Sequence, residues 1–161
     1  MRFDLIQQYD IPYLHPLMVH FPLVLLLLGA GVAVLYAALG RPVWRLAALG
    51  LFALGAAGAF AAHQTGEAME HEMEGEPIVD AVLPAHERMA EYTLWSAILA
   101  TLAYGGLTAV ARRRTTEGRI QPRPEPLAWR LGALVPALAA AALVAWTAHL
   151  GGIMVWGVPI G

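Results

Sequence analysis

Cysteine is absent from this 161-residue chain, and so is lysine. Without cysteine there are no disulfides, iron–sulfur clusters or thiolate metal sites, so any cofactor must be held by His, Met, Asp, Glu or the backbone. Charge of either sign is scarce: 14% of residues are charged and 58% are hydrophobic, against about 25% charged in an ordinary soluble domain. Those proportions describe a small integral membrane protein. Also missing are a GxSxG elbow, a Gly-rich phosphate loop, an HExxH pair and a defensible Ser–His–Asp pattern, the usual carriers of hydrolytic and nucleotide chemistry. No catalytic constellation of those kinds stands out in the sequence. The first residues do not read as a cleaved signal, because Arg2, Asp4, Gln7, Gln8 and Asp10 are polar and Pro12 precedes the apolar run. Residues 3–14 read as an interfacial lead-in with Phe3, Leu5, Ile6 and Tyr9 on one side.

What is present is organised around His15-Pro16-Leu17-Met18-Val19-His20-Phe21-Pro22, two histidines and two prolines at the mouth of a long apolar run. Pro16 suits a first helical turn, whose amides have no helical partner. Pro22 comes later, cannot donate to the carbonyl of Met18, and is expected to bend the helix or free that carbonyl beside His20. Four segments can cross about 30 Å of hydrocarbon, which takes roughly 20 residues each: residues 16–39, 43–63, 89–111 and 127–150. The first ends at Gly40-Arg41-Pro42, a helix stop and a charge in one turn. The second carries Gly50, Gly55 and Gly58, small residues that let helices or a flat cofactor approach closely. The fourth carries Pro136, where a kink is expected. The expected fold is a single all-α domain over residues 1–161, an integral membrane four-helix up-down bundle with an acidic loop at 64–88 and an Arg-rich loop at 112–126.

Eight of the ten arginines flank the connections between helices 1 and 2 and between 3 and 4; Arg2 and Arg88 do not. The positive-inside rule then makes those connections cytoplasmic and places both termini outside, in a bacterial inner membrane. Ten of the twelve acidic residues fall on the outer side, giving a surface that a cation or a cationic protein could approach. The Arg-rich loop has the composition to meet nucleic acid, but its place between membrane segments makes orientation and anionic lipid the simpler account.

On this topology each helix delivers one imidazole to the outer layer: His20, His63, His86 and His149. His15 and His71 lie further out on the same side. Small residues lie inward of three of them, Ala59 and Ala56 below His63, Ala145 and Ala142 below His149, and Ala90, Thr93 and Ala97 below His86. Imidazole near hydrocarbon is costly and marks a functional site by default.

Three readings compete. In the first, facing helices hold haem b by two axial histidines; across the diagonals these are His20 with His86, or His63 with His149. Two haems crossing at one depth would collide, so one is expected, or two if adjacent helices pair. Arg88 could meet a propionate, or simply pair with Glu87 or Glu91. In the second, His15, Glu67, His71 and Glu87 bind Zn, Fe or Mn; Glu67 and His71 have i,i+4 spacing, although E-x-x-x-H arises easily by chance. In the third, interfacial histidines bond to carbonyls or carboxylates in a structural subunit without a cofactor.

The HPLMVHFP opening, TGEAMEHEMEGE after helix 2, AHERMAEYTLW at helix 3 and the LGGIMVWGVPIG terminus together resemble an uncharacterised four-helix prokaryotic membrane domain with an HPxxVHFP signature. The resemblance spans essentially the whole chain. It implies four transmembrane helices and, through relatives fused to Rieske-type iron–sulfur domains, a respiratory setting. It also implies importance for His15, His20, Glu67, His86 and Glu87. The usual family ending, GGxxVYxHGVGV, is departed from here, where Val155-Trp156-Gly157-Val158-Pro159 lacks the tyrosine and histidine. The resulting expectation is a membrane b-type cytochrome or respiratory-complex subunit. It would carry electrons between a quinol in the bilayer and a periplasmic electron-transfer protein or neighbouring respiratory subunits. Nucleic acid is not an expected partner.

Overall fold

A computed structural model describes residues 14–73, 75–116 and 125–157 of the chain, with no account of the His71, Glu72, Thr115 and Thr116 side chains. The lead-in at 3–13, residues 117–124 of the Arg-rich connection and the terminal 158–161 lie outside the described residues. The elements in order are α1 (His15–Met18), α2 (His20–Leu39), α3 (Pro42–Met73), α4 (Pro77–Thr116) and α5 (Leu127–Trp156), and no strand occurs among the described residues. α1 and α2 form one span, and four stretches are long and apolar enough to cross a membrane: His15–Leu39, Pro42–Glu70, Pro77–Arg114 and Leu127–Trp156. The protein is an all-α four-helix membrane bundle. Its main contacts run α2–α3, α3–α4, α4–α5 and α5–α2. That closed ring of sequential neighbours puts α2 opposite α4 and α3 opposite α5, as short up-down connections require.

Local chemistry sets the element ends. Pro22 has no N–H to offer the Met18 carbonyl, and the first span is interrupted one residue later, at Val19, between α1 and α2. Bonding continues across the break, from Val19 N–H to His15 O (3.1 Å) and from Leu23 N–H to Val19 O (3.3 Å). α2 stops at Gly40, whose φ of 63° is a left-handed cap that glycine adopts without Cβ strain. Pro84 and Pro136 sit inside α4 and α5 without interrupting them. The segment expected as a loop, 64–88, is instead mostly helix among the described residues, since α3 runs on to Met73 and α4 begins at Pro77. The acidic residues end the hydrophobic run but not the helix, because Gln, Glu, Ala and Met are good helix formers and Pro77 fits a first turn.

Between lipid-immersed helices there is no hydrophobic gain, so close van der Waals fit and polar contacts must hold the bundle. The buried layer is accordingly built of alanines, among them Ala33, Ala48, Ala97, Ala100, Ala137 and Ala140, around the larger Leu26, Tyr36, Phe52 and Tyr104. Large apolar side chains such as Phe21, Leu28, Phe60, Leu99, Val135 and Trp146 are exposed and available to lipid. At Gly55 an added Cβ would lie 2.5 Å from Leu26 Cδ2. Phe52 stacks on Tyr104 with centroids 5.8 Å apart, and Tyr36 meets Tyr104 edge-on at 5.9 Å.

The end of the bundle that carries the arginines is tied by a buried polar cluster. Glu125, just before α5, accepts the Tyr36 hydroxyl at 2.7 Å and pairs through its other oxygen with Arg45. Arg130 Nη1 donates to the Ala37 carbonyl at 2.8 Å, and the Arg114 guanidinium lies 5.4 Å over the Trp129 ring. Arg45 and Glu125 are each only 5% exposed. In the sequence Glu125 sits in a Pro- and Arg-rich link with no periodic pattern to mark it.

Candidate functional site at the histidine end

The opposite end carries the histidines. His15 opens α1, where Pro16 fixes the first turn, and its ring lies against α3. Nδ1 is 2.9 Å from the Ala62 carbonyl and 3.2 Å from Thr65 Oγ1. His86 does the same from α4 to α5, with Nδ1 3.0 Å from the Thr147 carbonyl. Each ring rests over a glycine. A Cβ at Gly66 would lie 3.1 Å from His15 Cε1, and one at Gly151 would lie 3.3 Å from His86 Cε1. A side chain at either position would crowd the ring, which would have to give by a few tenths of an ångström. A threonine pair lies one to two turns inward, with Thr93 Oγ1 and Thr147 Oγ1 3.2 Å apart and each bonded to its own helix.

A backbone carbonyl only accepts, so Nδ1–H is the donor in both histidines. A neutral ring protonated at Nδ1 leaves Nε2 with its lone pair. A backbone carbonyl accepting from one ring nitrogen is how ligating imidazoles are usually oriented. The two rings belong to opposite spans of the ring of helices, are half-buried, and lie within electrostatic reach of each other.

The other candidates are placed differently. His20 is exposed, and its Nδ1 sits 2.6 Å from the Pro16 carbonyl of its own span. His15 rather than His20 is thus the histidine of the first span that is engaged with a neighbouring helix. His149 is exposed beside Trp146, with ring centroids 5.5 Å apart. His63 is half-exposed and 3.9 Å from Glu67 Oε1. It lines an open cleft of about 480 Å³ together with Glu67, Glu70, Pro84, Glu87, Arg88 and Glu91. So Arg88 stands among acidic neighbours in the α3–α4 cleft. Glu67 accepts from Gln64 Nε2 at 3.3 Å, and Glu87 is exposed close to Glu70. His71 has a side chain outside the described residues. Of the metal set His15, Glu67, His71 and Glu87, the structure draws Glu67 and Glu87 to the cleft and His15 to the α1–α3 contact. Among the described residues, no three His, Asp or Glu side chains converge as a metal-ligand group.

Taken together, the fold and this end define a small four-helix integral membrane protein with two inward, carbonyl-anchored imidazoles near one membrane face. The chain belongs to the family described as "Predicted membrane protein (DUF2231)", which matches residues 12–161. That agrees with the resemblance drawn from the HPLMVHFP motif to an uncharacterised membrane family. No curated protein and no solved structure matches the chain.

Proposed function

We propose that the protein is an electron-transfer component of the bacterial cytoplasmic membrane in which one haem b is held by two axial imidazoles near the periplasmic face. The observation that carries this reading is the pair His15 and His86, half-buried on opposite spans, each with Nδ1 bonded to a backbone carbonyl and Nε2 left as a lone-pair donor. Such neutral imidazoles suit an iron porphyrin, whose bound iron supplies one-electron chemistry. The chain's own contribution is to fix the tautomer, hold both rings away from bulk water and set their depth. Gly66 and Gly151 keep side chains out of the space each ring needs. The arginine-flanked connections support a cytoplasmic location for the opposite end. A quinol in the bilayer and a periplasmic electron carrier, or neighbouring respiratory subunits, are the partners this depth suits.

The test is to produce the full chain in a haem-replete bacterial host and record its visible spectrum and metal content. A stoichiometric Soret band with the signature of a low-spin bis-imidazole haem is expected. Stoichiometric Zn, Fe or Mn without a Soret band would replace haem by a divalent ion, with the acidic cleft as its place. A preparation that binds neither under these conditions would leave a structural subunit and overturn the proposal.

A further inference from the structure

The chain repeats itself. Shifting the first span by 71 residues, His15 to His86, lays His15-Pro-Leu-Met18 on His86-Glu-Arg-Met89, Phe21 on Tyr92 and Leu23 on Leu94. Shifting α3 by 85 residues, Gly66 to Gly151, lays Trp44-Arg45-Leu46 on Trp129-Arg130-Leu131 and Ala48-Leu49 on Ala133-Leu134. Burial follows the same register. In the first pair of spans Leu26 and Ala97, Ala33 and Tyr104, and Ala37 and Thr108 are buried at matched positions. In the second, Phe52 and Ala137, Gly55 and Ala140, and Ala59 and Val144 are. Similar letters can recur by chance in alanine-rich helices. The same burial at the same offset over most of two hairpins requires equivalent packing.

The repeat reaches the site itself. His15 bonds the Ala62 carbonyl, four residues before Gly66, and His86 bonds the Thr147 carbonyl, four residues before Gly151. Ala62 and Thr147 are themselves mates under the shift of 85. The remaining histidines have no such mates: His20 falls on Glu91, His63 on Ala148, His71 on Trp156, and His149 on Gln64. Among the described imidazoles, the two that are mates under the repeat are also the two that bond the carbonyl of a neighbouring helix.

We infer that the chain is two copies of one helical hairpin related by a pseudo-two-fold axis along the bundle. We further infer that His15 and His86 form a single site on that axis, with Gly66 and Gly151 as the residues that position them. Two parallel hairpins in a closed ring of four helices are related by such an axis. A ligand shared by both imidazoles would be held by two equivalent Nε2 donors, one from each hairpin, and a metal complex with two open coordination positions would suit them. The ligand class rests on the haem reading; the pairing of the histidines does not.

The experiment uses the full chain, labelled with ¹⁵N-histidine and freed of cofactor, in lipid nanodiscs. Among the imidazoles whose side chains are described, three are expected in the Nδ1-protonated tautomer, His15, His86 and the exposed His20 that bonds the Pro16 carbonyl of its own span, with one signal lost in His15→Gln, another in His86→Gln and the third in His20→Ala. Gly66→Val should convert the His15 signal alone and Gly151→Val the His86 signal alone; Gly66→Ala, whose Cβ meets Cε1 at 3.1 Å, is a milder version should valine prevent folding. Haemin is then added to each. Low-spin electron paramagnetic resonance is expected in the parent, and either glycine variant should weaken haemin binding by about 10–100-fold, as loss of an orienting outer-shell contact does at metal sites. His20→Ala, His63→Ala and His149→Ala should leave the His15 and His86 signals and the haemin binding unchanged. Unlike tautomers at His15 and His86, or a low-spin haem that survives both His15→Gln and His86→Gln, would overturn the pairing. If the tautomers are as stated but haemin does not bind, the pairing holds and the haem reading falls.

Discussion

Glu125 gives the sharpest test of how this bundle is held together. Replacing it by alanine removes the partner of Arg45, which is 5% exposed, and the acceptor of the Tyr36 hydroxyl, which is fully buried. Removing one member of a buried ion pair typically costs about 3–5 kcal/mol, mostly the penalty of the charge left behind. The stranded hydroxyl adds at most about 1–3 kcal/mol. The two losses share one carboxylate and are not additive, so a total of about 3–5 kcal/mol is expected. Tyr36→Phe removes only the neutral partner and should cost about 0.5–1.5 kcal/mol. Replacing Arg45 and Glu125 together by Met and Leu should cost less than Glu125→Ala alone, because no charge is left unpaired. The assay is reversible unfolding of the purified protein in mixed micelles, titrated with sodium dodecyl sulfate and followed by tryptophan fluorescence. A Glu125→Ala cost below about 1 kcal/mol, the range of exposed pairs, would refute the reasoning and show that water reaches the cluster freely.

Other expectations follow from the same contacts. Gly55→Ala should destabilise the bundle by about 1–3 kcal/mol in the same assay, since its Cβ would lie 2.5 Å from Leu26 Cδ2, while Gly50→Ala, with nothing within 4 Å, should be neutral or better. Because the chain has no cysteine, single cysteines report topology cleanly: one at Gly75 should react with an impermeant maleimide on intact cells and one at Gly118 only after permeabilisation. The opposite pattern would put the histidine end in the cytoplasm. In haem-loaded protein, His149→Ala should leave the absorption spectrum unchanged, since that ring is exposed beside Trp146; a lost low-spin band would restore it as a ligand.

The four spans were legible because each is a long apolar run bounded by Gly, Pro or Arg, and the gathering of histidines at one end followed from counting turns. The choice between His15 and His20 was not legible. Five residues along a helix turn a side chain by roughly 140°, so only one of the two can face a given neighbour. A span of nearly uniform Leu, Val and Ala carries little information about which face that is. The register is set by packing, where Pro22 meets Gly58 and Leu26 meets Gly55. The helical extensions through 64–88 were missed because hydropathy marks the limits of the bilayer, not of the helix. Glu125 was missed for a different reason: its partners, Tyr36 and Arg45, are 89 and 80 residues away.

The distribution of polar contacts orders the assembly of the chain in the membrane. The bonds from His15 to Ala62 and from His86 to Thr147 each close within one hairpin. Those from Glu125 to Tyr36 and Arg45, and from Arg130 to Ala37, all cross between hairpins. During synthesis the first hairpin can therefore seat its imidazole before the second has left the ribosome, whereas the crossing contacts must wait until α5 begins. The arginine end then works as a late-closing clasp over two halves that arrive already latched. A defect there would trap inserted but unjoined hairpins, with His15 and His86 each still bonded within its own half.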